Sequence, residues 1–215
     1  MLETPVRAPL SREQVLRTAL AYVDELGLEA LSMHKLGARL GVKAMALYNH
    51  VEGKDGLLDG LVELLWSDMA SVEETEDWRR RLRELAHAVR ATVARHPSAA
   101  PLVMTRPVLP VGALRVFKAH LDALARAGFS RRRAVEVVRT VVAYAFGCAL
   151  SERCWSCAGA ADGTELARLR RVSQMLPDDV PDDLLEVAMD LCGECELEGP
   201  FELGLDSMLQ GLSAG

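Results

Sequence analysis

The sequence has no run of about 18 residues free of charged side chains, the length a membrane-spanning helix needs, so it predicts no membrane partner. Its first residues, MLETPVRAPLS, lack a basic start followed by an apolar run, so we expect no secretory signal. A cytoplasmic protein with reduced thiols is the resulting expectation. No alternation of apolar and polar residues is sustained, and no internal repeat is apparent, which predicts an all-α protein.

Catalytic patterns are also missing from the sequence. There is no glycine-rich phosphate-binding loop. The sequence also has no convincing pair of a nucleophile with a general base, and no convincing metal site built on carboxylates. His87, His96 and His120 lack partners at ligand spacing. We therefore predict a protein that is not an enzyme and requires no cofactor.

Charge is unevenly distributed along the 215 residues, whose formal net charge is −6. Residues 32–54 carry four basic side chains against Glu52 alone, whereas residues 177–215 carry eleven acidic side chains and no Lys or Arg. The overall negative charge argues against a generic nucleic-acid coat protein. The local basic patch can still hold phosphates, although both segments could equally be ordinary solvated faces, and charge alone does not decide.

Residues 31–54, LSMHKLGARLGVKAMALYNHVEGK, predict two short amphipathic helices joined by a tight turn at Gly41-Val42. Leucines at i, i+4 spacing give the first helix its apolar face, and Leu47 and Val51 belong to that of the second. A helix-turn-helix of this kind places its second helix in the DNA major groove. We expect Gly53 to end this second helix and the next helix to begin near Asp55.

The rest of the chain reads as further helices separated by proline, glycine and acidic breaks. A helix from Ser11 to about Leu26 precedes the motif, with a capping-box pattern at Ser11 and Gln14, and Ser32 is expected to cap the next helix. After an acidic linker, residues 71–77, helices are predicted over 78–95, 111–127, 130–153, 164–176, 182–191 and 200–212, with residues 97–110 as a short region broken by prolines.

The order LGARLGV, LYNHV, Lys54 and Leu57-Leu58 over residues 36–58 resembles the DNA-binding domain of the tetracycline repressor (TetR) family, and FELGLD near the C-terminus resembles that family's last helix. The resemblance implies a flexible arm (1–10), a three-helix DNA-binding domain (11–55) with a connecting helix to about 70, and a larger helical ligand-binding and dimerisation domain (71–215). It implies a transcriptional regulator, most often a repressor, that binds a palindromic double-stranded operator as a homodimer and is released by a small-molecule effector.

The same resemblance implies which residues contact DNA. Tyr48, His50 and Lys54 match the family's phosphate-binding positions, where hydroxyl, imidazole and ammonium groups donate to phosphate oxygens. Core packing is the competing interpretation of Tyr48. The predicted DNA-contacting set is Met33, His34, Lys43, Ala44, Met45, Ala46, Tyr48, Asn49, His50 and Lys54.

Ala44, Met45 and Ala46 offer no hydrogen-bond donors to base edges, so we expect an operator different from that of the tetracycline repressor, read partly through DNA shape. For the dimer interface the resemblance implies residues 130–153 and 200–212. The effector itself cannot be read. Side chains of mixed character that could line its pocket are Trp78, His87, Met104, Phe117, His120 and Tyr144.

Two CxxC pairs stand apart from the family pattern: Cys154 with Cys157, and Cys192 with Cys195. Four thiols in such pairs are a typical ligand set for structural zinc, although the gap between the pairs is longer than in a zinc ribbon. Inert buried thiols are an equally good interpretation. A metal- or redox-responsive regulator using these thiols is therefore the alternative hypothesis.

Overall fold

The computed structural model describes residues 9–70, 75–155, 165–177, 179–192 and 198–214. All regular structure in these residues is helical, which confirms the predicted all-α class. The α-helices are α1 (Arg12–Leu26), α2 (Met33–Leu40), α3 (Ala44–Leu47), α4 (Gly53–Met69), α5 (Trp78–Arg95), α6 (Leu102–Thr105), α7 (Val111–Arg126), α8 (Arg131–Trp155), α9 (Glu165–Met175), α10 (Asp182–Cys192) and α11 (Glu198–Gly211).

Two serine caps fix the starts of α1 and α2. The Ser11 hydroxyl accepts a hydrogen bond from the Gln14 amide at 3.1 Å, and the Ser32 hydroxyl accepts one from the Lys35 amide at 3.2 Å. Each bond satisfies one of the amides that a helix leaves unpaired in its first turn. Both predicted caps are thereby confirmed.

The turn between α2 and α3 depends on two glycines. Gly41 has φ 65° and ψ 35°, a left-handed conformation that residues with a Cβ adopt only at a cost. A Cβ on Gly37 would lie 2.9 Å from the Val42 carbonyl oxygen, so only glycine lets the chain fold back so closely. Leu36 and Leu47 are fully buried on either side of this turn. The small motif is therefore held by its own apolar core.

Helix α4 packs against α1, α5, α6 and α7. Leu61 and Leu65 have no exposed surface, and Trp66 packs edge to face on Phe117 with ring centroids 4.9 Å apart. Arg106, just after α6, donates to Asp59 at 2.5 Å on α4. The helix that follows the helix-turn-helix thus forms part of the core of the larger helical assembly.

The chain separates into two compact units, Met1–Phe146 with Ala214–Gly215, and Gly147–Ser213. The predicted functional boundary near residue 70 is a different kind of division and stays a prediction.

Helix α8 contributes residues 131–146 to the first unit and residues 147–155 to the second. Within the described residues, it is the one helix long and apolar enough to cross a membrane, with mean hydropathy 1.5 over Arg131–Glu152. A single helix of this kind is weak evidence, since core helices of soluble proteins also meet the test. Val137 and Val141 are indeed buried. Glu136 and Arg139 interrupt the segment.

The structure differs from the sequence prediction at two places. Helix α3 ends at Leu47 rather than at Gly53, and the chain continues in turns in which the Leu47 carbonyl accepts from the amides of His50 (2.9 Å) and Val51 (3.0 Å). Helix α4 then begins at Gly53 itself. The second difference is α6, a single turn within the proline-broken region, which begins directly after Pro101 because proline fits the start of a helix.

Candidate nucleic-acid interface and effector cavity

We call the ten predicted DNA-contacting residues the recognition surface. Met45 is 75% exposed and Tyr48 is 52% exposed, although both are large and apolar in character. Large apolar side chains left exposed within one short segment are typical of a binding surface. His34, Lys43, Asn49 and Lys54 are also exposed, whereas Met33, Ala44, Ala46 and His50 are half-buried.

Tyr48 lies at the start of α4 rather than in the core. Its Cε1 atom is 3.9 Å from the position that a Cβ on Gly53 would occupy, so the ring lies over the first residue of that helix. Lys54 follows at once, and α4 is 17 residues long. A helix N-terminus carries unpaired amides and partial positive charge, which favour a phosphate. The structure therefore brings a phenol, an ammonium group and a helix terminus together.

The basic patch of residues 32–54 is less positive at the surface than its composition indicates. Arg39 donates to Glu25 of α1 at 2.5 Å, and this hydrogen bond raises the pKa of Arg39 and lowers that of Glu25. The Lys35 ammonium group donates to the Ala30 carbonyl at 3.2 Å. Within the described residues Lys43 and Lys54 form no ion pair. Both lysines are exposed and keep their charge for phosphates.

A histidine that has no partner in the sequence pattern links the first helix to the core. His96 follows α5, is 9% exposed, and donates from Nδ1 to the Asp24 carboxylate of α1 at 2.8 Å. Its Nε2 lies 3.5 Å from Asp68 of α4. The partners are 72 and 28 positions away, so no local spacing could have found them. The contact ties α1 to the elements that surround the cavity described next.

A cavity of about 360 Å³ lies among α4, α5 and α7. Its polar lining comes from Ser67, Arg81, Arg115 and His120, and Gly112 borders it. A second recess of about 420 Å³ adjoins it, since Arg81 lines both. Openings of this volume are in the range of small-molecule sites. The cavity lies wholly within the first compact unit.

His120 is the most deeply buried polar side chain of this cavity, with 2% exposure. Its Nδ1 donates to the Val116 carbonyl at 2.7 Å, which leaves Nε2 as an acceptor. Burial lowers the pKa of His120, and this outweighs the carbonyls of Val116 and Arg81, which favour the protonated ring. The neutral imidazole is therefore the form present at neutral pH.

The other predicted pocket residues have structural partners or lie at the surface. Trp78 packs edge to face on Phe129 with centroids 5.0 Å apart, and Phe117 packs on Trp66 as described. Met104 is 56% exposed, while His87 and Tyr144 are half-buried. Arg81 and Arg115 were absent from the sequence prediction because nothing in their local pattern distinguishes them from surface arginines.

The zinc hypothesis concerns residues that the structure does not describe at side-chain level. Cys157 and Cys195 lie outside the described residues, and Cys154 and Cys192 are described only as members of α8 and α10. In the part of the chain that is described, no group of three or more His, Cys, Asp or Glu side chains could hold a metal ion. Cys148 is a free, half-buried thiol.

Comparison with known proteins identifies the family. Residues 71–215 match the family model described as "Tetracyclin repressor-like, C-terminal domain". Over 208 residues the chain is 32% identical to the tetracycline repressor protein class A from transposon 1721 of Escherichia coli, covering 95% of this chain and 91% of that protein.

Solved structures agree with this match. A possible TetR family transcriptional regulator from Streptomyces coelicolor A3(2) has 25% identity and a TM-score of 0.75, covering 94% of this chain and 98% of its own. A substituted TetR from Acinetobacter baumannii AYE in complex with minocycline has 25% identity and a TM-score of 0.67, covering 94% and 96%. The chain belongs to the tetracycline repressor-like (TetR) family and is a ligand-responsive, DNA-binding regulator of transcription.

Proposed function

We propose that this protein is a cytoplasmic repressor that binds a palindromic operator as a homodimer through the recognition surface and leaves it when a small molecule fills the cavity among α4, α5 and α7. The observation that carries the proposal is the exposure of Met45, Tyr48 and Lys54 beside the N-terminus of α4. The protein acts by binding alone, without a catalytic step.

Different residues of the recognition surface contact the phosphates and the bases of the operator. Tyr48, His50 and Lys54 contact phosphates at the start of α4, and Lys43 contacts a phosphate at the start of α3. Met45, with Ala44 and Ala46 beside it, approaches the base edges, where apolar side chains favour thymine methyl groups. With few donors to the bases, a larger share of the specificity comes from DNA shape. A dimer through α8 and α11 places two such surfaces on successive major grooves.

Helix α4 transmits the conformational effect of effector binding from the cavity to the DNA-binding helices. This helix lines the cavity with Ser67, carries Asp59 bonded to Arg106, and begins at the residue under Tyr48. His96 adds a contact from α5 to α1 and α4. The similar A. baumannii protein is a minocycline complex, which supports a small-molecule effector as the ligand class. A coupling of about 1–3 kcal/mol would change operator affinity roughly 5- to 150-fold.

The test is footprinting of the purified protein on the DNA flanking its own gene, in moderate salt with nonspecific competitor. Tyr48→Ala and Lys54→Ala are measured beside the parent protein. Lys118→Ala is the matched control, since Lys118 is also an exposed lysine but lies on α7 and pairs with Asp122. We expect a discrete footprint that weakens in both recognition-surface variants and is unchanged in the control. Lys54→Ala should also reduce the salt slope of binding by about one.

Folded protein without any sequence preference, at every salt concentration tried, would refute the operator-binding proposal. Sedimentation with the operator tests the dimer: two protomers per palindrome are expected. Mass spectrometry of metabolites incubated with the protein tests the non-enzymatic part, because chemical turnover of a bound compound would contradict it.

A further inference from the structure

Three buried side-chain atoms have no hydrogen-bond partner among the described residues: Arg81 Nε, Glu84 Oε2 and His120 Nε2. Arg81 and His120 line the cavity, and the charges of Arg81 and Glu84 both act on the His120 ring. Buried polar groups are paired in nearly all native structures, and an exception calls for a missing partner. Two of the three atoms belong to residues that line the same cavity, which points to a ligand there.

The unused hydrogen-bond donors and acceptors of these side chains define which groups the ligand must offer. Arg81 donates from Nη1 to the Thr75 carbonyl at 3.0 Å, but its Nε–H group has no acceptor. His120 Nε2 accepts, because Nδ1 carries the proton given to the Val116 carbonyl, and no described donor reaches it. The Arg81 carbonyl also acts on the ring, but as an acceptor it cannot supply that donor. The Ser67 hydroxyl donates to the Glu63 carbonyl at 3.0 Å and so presents its lone pairs. The cavity therefore requires both an acceptor and a donor.

The charge of the lining favours an anion. Arg81 and Arg115 line the cavity, and no carboxylate lines it. The charge of Glu84 acts on the His120 ring, but Glu84 Oε1 pairs with Arg80, from which it accepts at 2.8 Å. A cation would meet two guanidinium groups, and a purely apolar ligand would leave Arg81 Nε and His120 Nε2 unpaired.

We propose that the cavity binds a small organic anion that also carries a hydroxyl group, with the oxyanion on Arg81 and the hydroxyl donating to His120. This inference rests on the proposed function, in which the cavity is the effector site, and it specifies the chemical class of the effector. Arg115 at the cavity rim strengthens the attraction for the oxyanion, and Ser67 offers a second acceptor to the hydroxyl.

Binding of three matched probes tests the ligand class. The probes are 3-hydroxybenzoate, benzoate without the hydroxyl, and 3-hydroxybenzamide without the charge, each measured by ligand-observed NMR or titration calorimetry on the full chain. We expect 3-hydroxybenzoate to bind about tenfold more tightly than either analogue, because each loses one hydrogen bond to a buried group. Equal affinity for all three probes, or no binding of any of them, would overturn the proposal.

Variants assign each probe group to a side chain. In Arg81→Met the preference for 3-hydroxybenzoate over the benzamide should fall to about one, while the preference over benzoate remains. His120→Leu should show the reverse pattern. Lys118→Gln, on the same helix as His120 but exposed, should preserve both ratios. Ratios that stay at the parent values in Arg81→Met and His120→Leu contradict the assignment even when absolute affinities change.

A cavity-filling variant distinguishes loss of the binding site from loss of the fold. The added Cβ of Gly112 meets only Ser67 Oγ, at 4.0 Å, so Gly112→Leu can place its side chain in the cavity. It should abolish probe binding while operator binding persists, and unchanged probe binding would locate the ligand elsewhere and refute the site. The two proposals fail separately: a parent protein that binds DNA but not the anion refutes the ligand class, whereas one that binds the anion but not DNA refutes the operator function.

Discussion

Replacing Gly60 by alanine measures how closely α1 and α4 approach each other. A Cβ on Gly60 would lie 2.3 Å from Leu16 Cδ2 and 2.9 Å from Leu16 Cδ1. Both distances are far inside van der Waals contact, and Leu16 is only 2% exposed, so it has little room to move. Gly60→Ala should therefore push α1 away from α4 or force Leu16 off its rotamer.

The sign of the change in the free energy of unfolding is diagnostic, because helix propensity alone predicts that Gly60→Ala stabilises the protein. In a helix interior alanine is favoured over glycine by about 1 kcal/mol. Overpacking of a core costs about 1–3 kcal/mol. We expect a net loss in the free energy of unfolding of about 0–2 kcal/mol. Leu16→Ala alone should cost about 2–5 kcal/mol through the cavity it leaves. The double variant should lose less than the sum, with a coupling of about 0.5–3 kcal/mol.

Urea unfolding followed by tryptophan fluorescence is the assay, at one fixed protomer concentration because dimerisation stabilises the fold. Trp66, 4% exposed on α4 itself, reports on the interface. Gly112→Ala is the control, since its Cβ meets only Ser67 Oγ at 4.0 Å, and it should not destabilise. A more stable Gly60→Ala protein, or strict additivity with Leu16→Ala, would refute the close approach of the two helices.

Three further predictions address the turn, the cavity and the DNA surface. Gly41→Ala must hold φ near 65° and should lower the free energy of unfolding by about 1–2 kcal/mol. A thermal melt matching that of the control Gly112→Ala, whose added Cβ meets only Ser67 Oγ at 4.0 Å, would contradict this. Because burial lowers the pKa of His120, the unfolded chain binds more protons than the folded one below about pH 6.5, so stability should fall as pH falls through that range. His120→Gln should flatten this part of the profile measured by urea unfolding, and an unchanged slope would show that other groups cause it. Met45→Ala should weaken binding to a thymine-containing operator by about 1–3 kcal/mol without changing the salt slope, whereas a changed slope would place Met45 on phosphate.

Local signals predicted the helix starts well. Ser11 and Ser32 each cap the helix that follows, as their hydroxyls accept amides three residues on. These contacts span three positions, so the sequence pattern contains all the information they need. The leucines of the helix-turn-helix are buried for a similar reason, since their spacing places them on one helix face.

Predictions failed at the end of α3 and at side chains whose partners lie far along the chain. The recognition helix was expected to reach Gly53, but it ends at Leu47, where the chain must turn to bring Val51 into the core and start α4. The basic charge of Arg39 was counted toward DNA binding, yet Glu25 pairs with it. His96 has no partner at ligand spacing in the sequence, because its two carboxylates, Asp24 and Asp68, come from other helices.

By itself the sequence determined the helical class, the helix caps, the turn at Gly41 and the resemblance that defines the recognition surface, because each depends on residues a few positions apart. Only the tertiary structure decided which charges are neutralised and which polar atoms are buried without partners. Arg81 and His120 are 39 positions apart and belong to different helices. Their meeting at one cavity follows from how α4, α5 and α7 pack, since burial and electrostatics depend on distance in space rather than along the chain.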